Sequence, residues 1–166
     1  MRRAGENPLQ RQLISERIAE LNSRIPQGGL REALVRALIY VGAARAGVDE
    51  RGMAALRRTR IAEDGKPRLT LSAFKAIVRE QYFMLLIDQE AALAAIPALL
   101  PDDLDLRRKG LAALREILSS REEIAGEVAR RLDRMAEIFG LEASAPPAKG
   151  LQTDKVLRLA DRTKAS

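Results

Sequence analysis

The apolar positions of this chain recur every three or four residues, the period of a helix face. No stretch alternates with the period of a β-strand. Ile14, Ile18, Leu21 and Ile25 mark the first face. Asn7-Pro8 opens it, since Asn caps free amides and Pro suits the first helical position. Pro26-Gln27-Gly28-Gly29 stops it. A second helix begins near Leu30 and ends near Ala46-Gly47. Leu34, Val35, Leu38, Ile39 and Val41 make it apolar over a wide arc, so it is predicted to be central, with neighbours on several sides.

Asp49 caps a third helix, with Met53, Leu56 and Ile61 on its buried side and Arg57, Arg58 and Arg60 toward water. The stretch from Glu63 to Pro67 reads as a loop. Thr70 caps a fourth helix, along which Phe74, Ile77, Val78, Tyr82, Leu85 and Leu86 recur at helical spacing. Asp88 caps a short fifth helix carrying Ala91, Leu93, Ile96 and Leu99, with Pro97 expected to distort or end it. Pro101-Asp102-Asp103 turns into a sixth, with Leu111, Leu114, Ile117 and Leu118.

For the seventh helix, Ser120-Arg121-Glu122-Glu123 fits a capping box, followed by Ile124, Val128, Leu132, Met135 and Phe139. Gly140 fits a left-handed C-cap, with Leu141 folding back on the last turn. The expectation is an all-α, single-domain bundle of about seven helices. Its organisation reads as an N-terminal segment over 1–7, the helical domain over 8–141, a linker over 142–152 and a tail over 153–166. In the tail, Val156, Leu157 and Ala160 make a short amphipathic face. About ten helical residues are marginal alone, so this segment is a candidate partner-binding element.

Composition sharpens this picture. The 166 residues suffice for one domain with its own core. Aromatics are 3% and Trp is absent, so the core is built from Leu, Ile, Val and Ala, which suits helix on helix. There is no Cys and no His, which removes thiol nucleophiles, imidazole bases and zinc sites of the usual kind. No apolar run is long enough to span a bilayer. Met1-Arg2-Arg3 runs into polar residues rather than a signal-peptide core, so a cytoplasmic location is expected.

The net charge is +6, from 29 basic and 23 acidic residues that are mixed rather than set in one stripe. Arg57, Arg58 and Arg60 are the nucleic-acid candidates. They lack the interleaved aromatics that stack on bases, so nucleic acid is not the expected partner. Asp102, Asp103 and Asp105 read as helix-start chemistry, as do Glu122 and Glu123. Ser72 and Lys75 imitate a Ser-x-x-Lys pair at a common spacing. No combination of nucleophile, base and charge-stabilising group emerges, so no catalytic residue is assigned and the chain is not expected to be an enzyme.

Two stretches carry a family resemblance. From Leu38 to Arg58, an apolar helix ends in a glycine-containing loop, followed by Val48-Asp49-Glu50 and a second helix. This resembles the first helix-loop-helix of tellurite-resistance TerB-like domains. From Phe83 to Asp102, an aspartate precedes an alanine-leucine helix and then Leu100-Pro101, which resembles a later section of the same fold. Leu71 to Leu85 looks more narrowly like the C-terminal region of bacterial proteins whose upstream part is a polyhydroxyalkanoate-synthase-like α/β-hydrolase. The resemblance covers roughly residues 15–140.

The resemblance implies a helical fold, and it implies that any hydrolase activity belongs to an upstream segment. TerB-like domains carry acids around the first loop that suggest metal binding. Here Arg45-Ala46 aligns with the usual Asp-Gly, and Gly52 with a usual Glu. Asp49 and Glu50 alone remain as candidates for a divalent cation, which wants about six oxygens; no other cofactor is expected. The functional expectation is a non-catalytic interaction or regulatory domain, accessory to a hydrolase of that type, with a protein partner or a second copy. The alternatives are a metal- or anion-responsive stress-resistance domain and a nucleic-acid binder.

Overall fold

In a computed structural model that describes residues 7–59 and 68–142, the helices predicted over these residues form, and the described residues contain no strand. The elements are α1 (Pro8–Arg24), α2 (Leu30–Gly42), α3 (Glu50–Arg58), α4 (Leu71–Ile87), α5 (Gln89–Ala94), α6 (Ile96–Leu99), α7 (Leu104–Ser119) and α8 (Gly126–Ile138). They make a single bundle-like domain.

Short polar side chains set most helix starts by accepting from amides that lack an intrahelical partner. Asn7 Oδ1 accepts from Leu9 N at 3.1 Å, the Thr70 hydroxyl from Ala73 N at 3.1 Å, and Asp88 from Ala91 N at 3.0 Å. Asp103 accepts from both Asp105 N and Leu106 N, at 2.8 and 3.3 Å. At the end of α8, Gly140 adopts φ +69, and the Leu141 amide donates to Ala136 O at 2.8 Å. That is the predicted left-handed cap with the chain folded back.

Two local readings are corrected. The fifth predicted helix is two helices, α5 and α6, broken at Ala95. Pro97 has no N–H to give to the Leu93 carbonyl, so the chain stops and restarts with Pro97 in the first turn of α6. This break supplies the eighth helix. The capping box at Ser120 does not form: Ser120 closes α7, and its hydroxyl donates to Ile117 O at 2.8 Å. A serine near a helix end can bond back to the preceding turn as readily as cap the next one. Arg121 pairs with Asp49, and α8 starts only at Gly126, behind Ala125, which offers no side-chain acceptor.

Helix α2 is central, as its wide apolar arc predicts. It packs against α4, α5, α6, α7 and α8, and Ala33, Val35, Ala37, Leu38 and Val41 are fully buried. Leu93, Ile96, Leu114, Leu132, Met135 and Phe139 close around it.

One fully buried residue of α2 is charged. Arg36 donates through Nε to Gln81 Oε1 at 2.8 Å, through Nη1 to Ala92 O at 2.9 Å, and through Nη2 to Ile25 O at 3.1 Å. One side chain thus ties the end of α1, the middle of α4 and α5 to α2. Burial pushes its pKa down to about 10, while Glu32 and Glu80 pull the other way, so it is a cation at neutral pH.

Candidate functional site

Helix α1 stands on its last turn. Leu21 and the capping residue Ile25 are buried, but every residue from Pro8 to Glu20 is exposed. Its apolar residues are therefore mostly uncovered: Leu9 is 68% and Leu13 66% exposed, with Ile14 and Ile18 less so. Arg24 Nε meets Glu80 Oε1 at 3.0 Å and fastens this end of α1 to α4. On α4, Phe83 follows Glu80 by three residues and flanks it, while Leu86 lies further round the solvent side of the helix. Both are exposed, Leu86 at 62%. Helices α1 and α4 are neighbours in the bundle, and their exposed apolar residues are termed the ridge. Scattered surface leucines need no explanation, but a run of them on a helix with little support of its own does.

The periodicity of α4 counts Tyr82 and Leu86 with its core face, and the structure corrects this. The buried arc is Phe74, Gln81, Met84 and Leu85, and both Tyr82 and Leu86 sit off it. The consecutive residues Tyr82, Phe83 and Met84 divide between core and surface. Met84 enters the core, while the rings of Tyr82 and Phe83 meet edge-on outside it, 5.8 Å between centroids.

Two clefts flank α3. One, of about 790 Å³, lies between α3 and α7, where Arg45, Arg51 and Arg121 mix with Asp49, Glu116 and Glu122. The other, of about 720 Å³, lies between α3 and α4 and is mainly apolar. Asp49 borders both.

The residues singled out from the sequence fall as follows. Asp49 is the N-cap of α3: its Oδ1 accepts from Gly52 N at 3.0 Å, and its other oxygen pairs with Arg121. The Gly52 amide, more than Arg121 and Arg51, holds this carboxyl below its ordinary pKa. Glu50 is exposed in the first turn of the same helix. Among the described residues no three acids, histidines or cysteines gather as a metal site. Arg57 is half-buried and donates to Leu69 O at 3.2 Å, whereas Arg58 is exposed. Arg60, Val156, Leu157 and Ala160 lie outside the described residues.

Other arginines are spent inside the fold. Arg107 bonds Pro101 O and Phe139 O, at 2.6 and 3.3 Å. Arg131 lies over the Tyr40 ring, 4.7 Å from its centroid, and donates to Tyr40 O. Arg134 bonds Tyr40 Oη and Glu90. Sequence reasoning missed Arg36, Arg131 and Arg134, whose partners lie far away along the chain.

Replacing Asp49 with alanine is expected to lower the melting temperature by a few degrees at neutral pH, through the lost cap and ion pair. Because the folded carboxyl titrates low, its contribution is full above the ordinary carboxylate range. It fades as pH falls through the lowered value. Melting curves of both proteins, taken at neutral and at acidic pH, should therefore converge on acidification.

The chain is 49% identical over 145 residues to an "uncharacterized protein in ackA 5'region" of Rhizobium meliloti, a match that takes in 87% of this chain and 20% of that protein. No family model matches this chain, and no solved structure matches it. The chain thus spans about one fifth of the length of the curated relative it matches.

Proposed function

We propose that this chain is a non-catalytic helical docking domain of TerB-like type, accessory to a larger protein body, and that the ridge on α1 and α4 is its docking face. The observation that carries this reading is α1 itself. A helix whose first three turns hold no buried residue is marginal in water, and its apolar stripe gains further stability against something else. The Rhizobium relative supports the reading, because there the similar segment is a small part of a much longer protein. We assign the larger body to the polyhydroxyalkanoate-synthase-like α/β-hydrolase class, on the likeness of residues 71–85 to the region that follows such domains.

Side-chain oxidation by hydroxyl radicals tests the docking role. Leu13, Phe83 and Leu86 should label readily in this chain by itself. The stretch of the full-length Rhizobium protein aligned with α4 should label about tenfold more slowly, as expected for side chains withdrawn from water. Equal labelling in the two proteins would leave the ridge without a partner in the longer chain and overturn the reading.

A further inference from the structure

The cleft between α3 and α4 is a second surface, which meets the ridge where Tyr82 touches Phe83. Its walls are Met53 and Ala54 of α3, and Leu71, Phe74, Val78 and Tyr82 of α4. Leu71 and Tyr82, at the two ends of the α4 wall, are about half exposed, and Met53 and Val78 are partly exposed between them. From Leu71 to Tyr82 the α4 wall runs about 16 Å, or three helical turns. That length matches a short amphipathic helix inserting anchors at i, i+4 and i+7.

The rim carries the information about charge. Arg57, Lys75 and Arg79 border the groove. Arg57 is held by the Leu69 carbonyl, which leaves its charge unneutralised. Among the described residues, neither Lys75 nor Arg79 is paired with a carboxylate. Of the two acids at the α3 end, Asp49 is already paired with Arg121, and only Glu50 remains.

Charge also separates the candidate occupants. The tail stretch 153–162 has three basic residues (Lys155, Arg158, Arg162) against two acidic (Asp154, Asp161), a net +1. A second copy of the chain brings a net +6. Both would set positive charge on a positive rim, which opposes association.

We propose that the α3–α4 groove is a docking site for an acidic amphipathic helix of a protein partner, its apolar face against Met53, Val78 and Tyr82 and its carboxylates toward Lys75 and Arg79. The groove needs no contribution from the ridge.

The test uses the whole chain, isotope-labelled, titrated with a blocked alanine-based peptide of about twelve residues, bearing Leu at i, i+4 and i+7 and Glu on the opposite face. Two peptides and a fatty acid serve as comparisons: the same composition with the leucines scrambled, the same pattern with Lys for Glu, and dodecanoate in place of peptide. The acidic patterned peptide should shift the resonances of Met53 and Val78, with a dissociation constant on the order of 100 µM or tighter. The Lys version should bind about tenfold more weakly. Lys75→Glu together with Arg79→Glu, both exposed and so harmless to folding, should reverse that preference. No binding, equal affinity for scrambled and patterned peptides, or shifts confined to α1 would overturn the proposal. Dodecanoate saturating the groove and displacing the peptide would also overturn it, by identifying a site for lipid anions. Failure here leaves the ridge reading standing, because none of these probes needs the ridge.

Discussion

Replacing Arg36 with methionine is expected to destabilise the fold by about 3–5 kcal/mol. The apolar substitute fills most of the volume, so the cost does not come from an empty cavity. It comes from the acceptors left behind. Ile25 O, Ala92 O and Gln81 Oε1 are all bonded by Arg36, and the arginine and Gln81 are both buried, so water cannot readily take over. Lysine is no rescue, because one ammonium lacks the fork that reaches three acceptors on three elements. Chemical denaturation of the single and double variants checks the account. Adding Gln81→Leu to Arg36→Met should cost much less than Gln81→Leu alone, since its bond to Arg36 is already gone. Simple additivity would mean that the two residues are not one network.

Leu114→Ala is expected to cost about 3–4 kcal/mol, whereas Leu13→Ala should cost no more than about 0.5 kcal/mol. The chemical change is the same, and only the surroundings differ. Leu114 is fully buried on α7 in the layer around α2, where removing three carbons leaves a cavity that the neighbouring helices fill only in part. Leu13 is 66% exposed on a turn of α1 that touches little else. Denaturant midpoints at constant slope measure both. A small loss at Leu114 would mean that the α2–α7 contact is looser than the structure has it.

The features legible in the sequence are those whose cause is local. Asn7, Asp49, Thr70, Asp88 and Asp103 each cap a helix through an amide two or three residues away, so the composition of a few residues sets the outcome. The central place of α2 follows from the breadth of its apolar arc. Pro97 was legible as a break, but whether it ends a helix or starts the next depends on how α5 and α6 pack. At Ser120 two local motifs compete, and tertiary pairing of Arg121 with Asp49 favours closing α7.

Arg36 was not legible. Within an apolar run an arginine reads as a solvated break, and its acceptors come from elements placed beside it only by folding. The ridge was half legible for a related reason. The spacing of Ile14, Ile18, Leu21 and Ile25 identifies a helix face correctly, but spacing cannot say how much of that face this chain covers with its own residues. The charge at the α3–α4 groove depends on which arginines are spent elsewhere, and pairs such as Arg107 with Phe139 O are set by the tertiary fold.

The claim that the ridge is not part of this chain's own folding core is tested most directly by one melting curve, that of the chain with Leu13, Ile14 and Leu86 all changed to glutamate. Glutamate is a good helix former, and all three sites are more than half exposed. The account predicts a stability within about 1 kcal/mol of the parent, with the helical content unchanged. A loss of more than about 2 kcal/mol would mean that these side chains pack against this bundle after all, and would contradict the account.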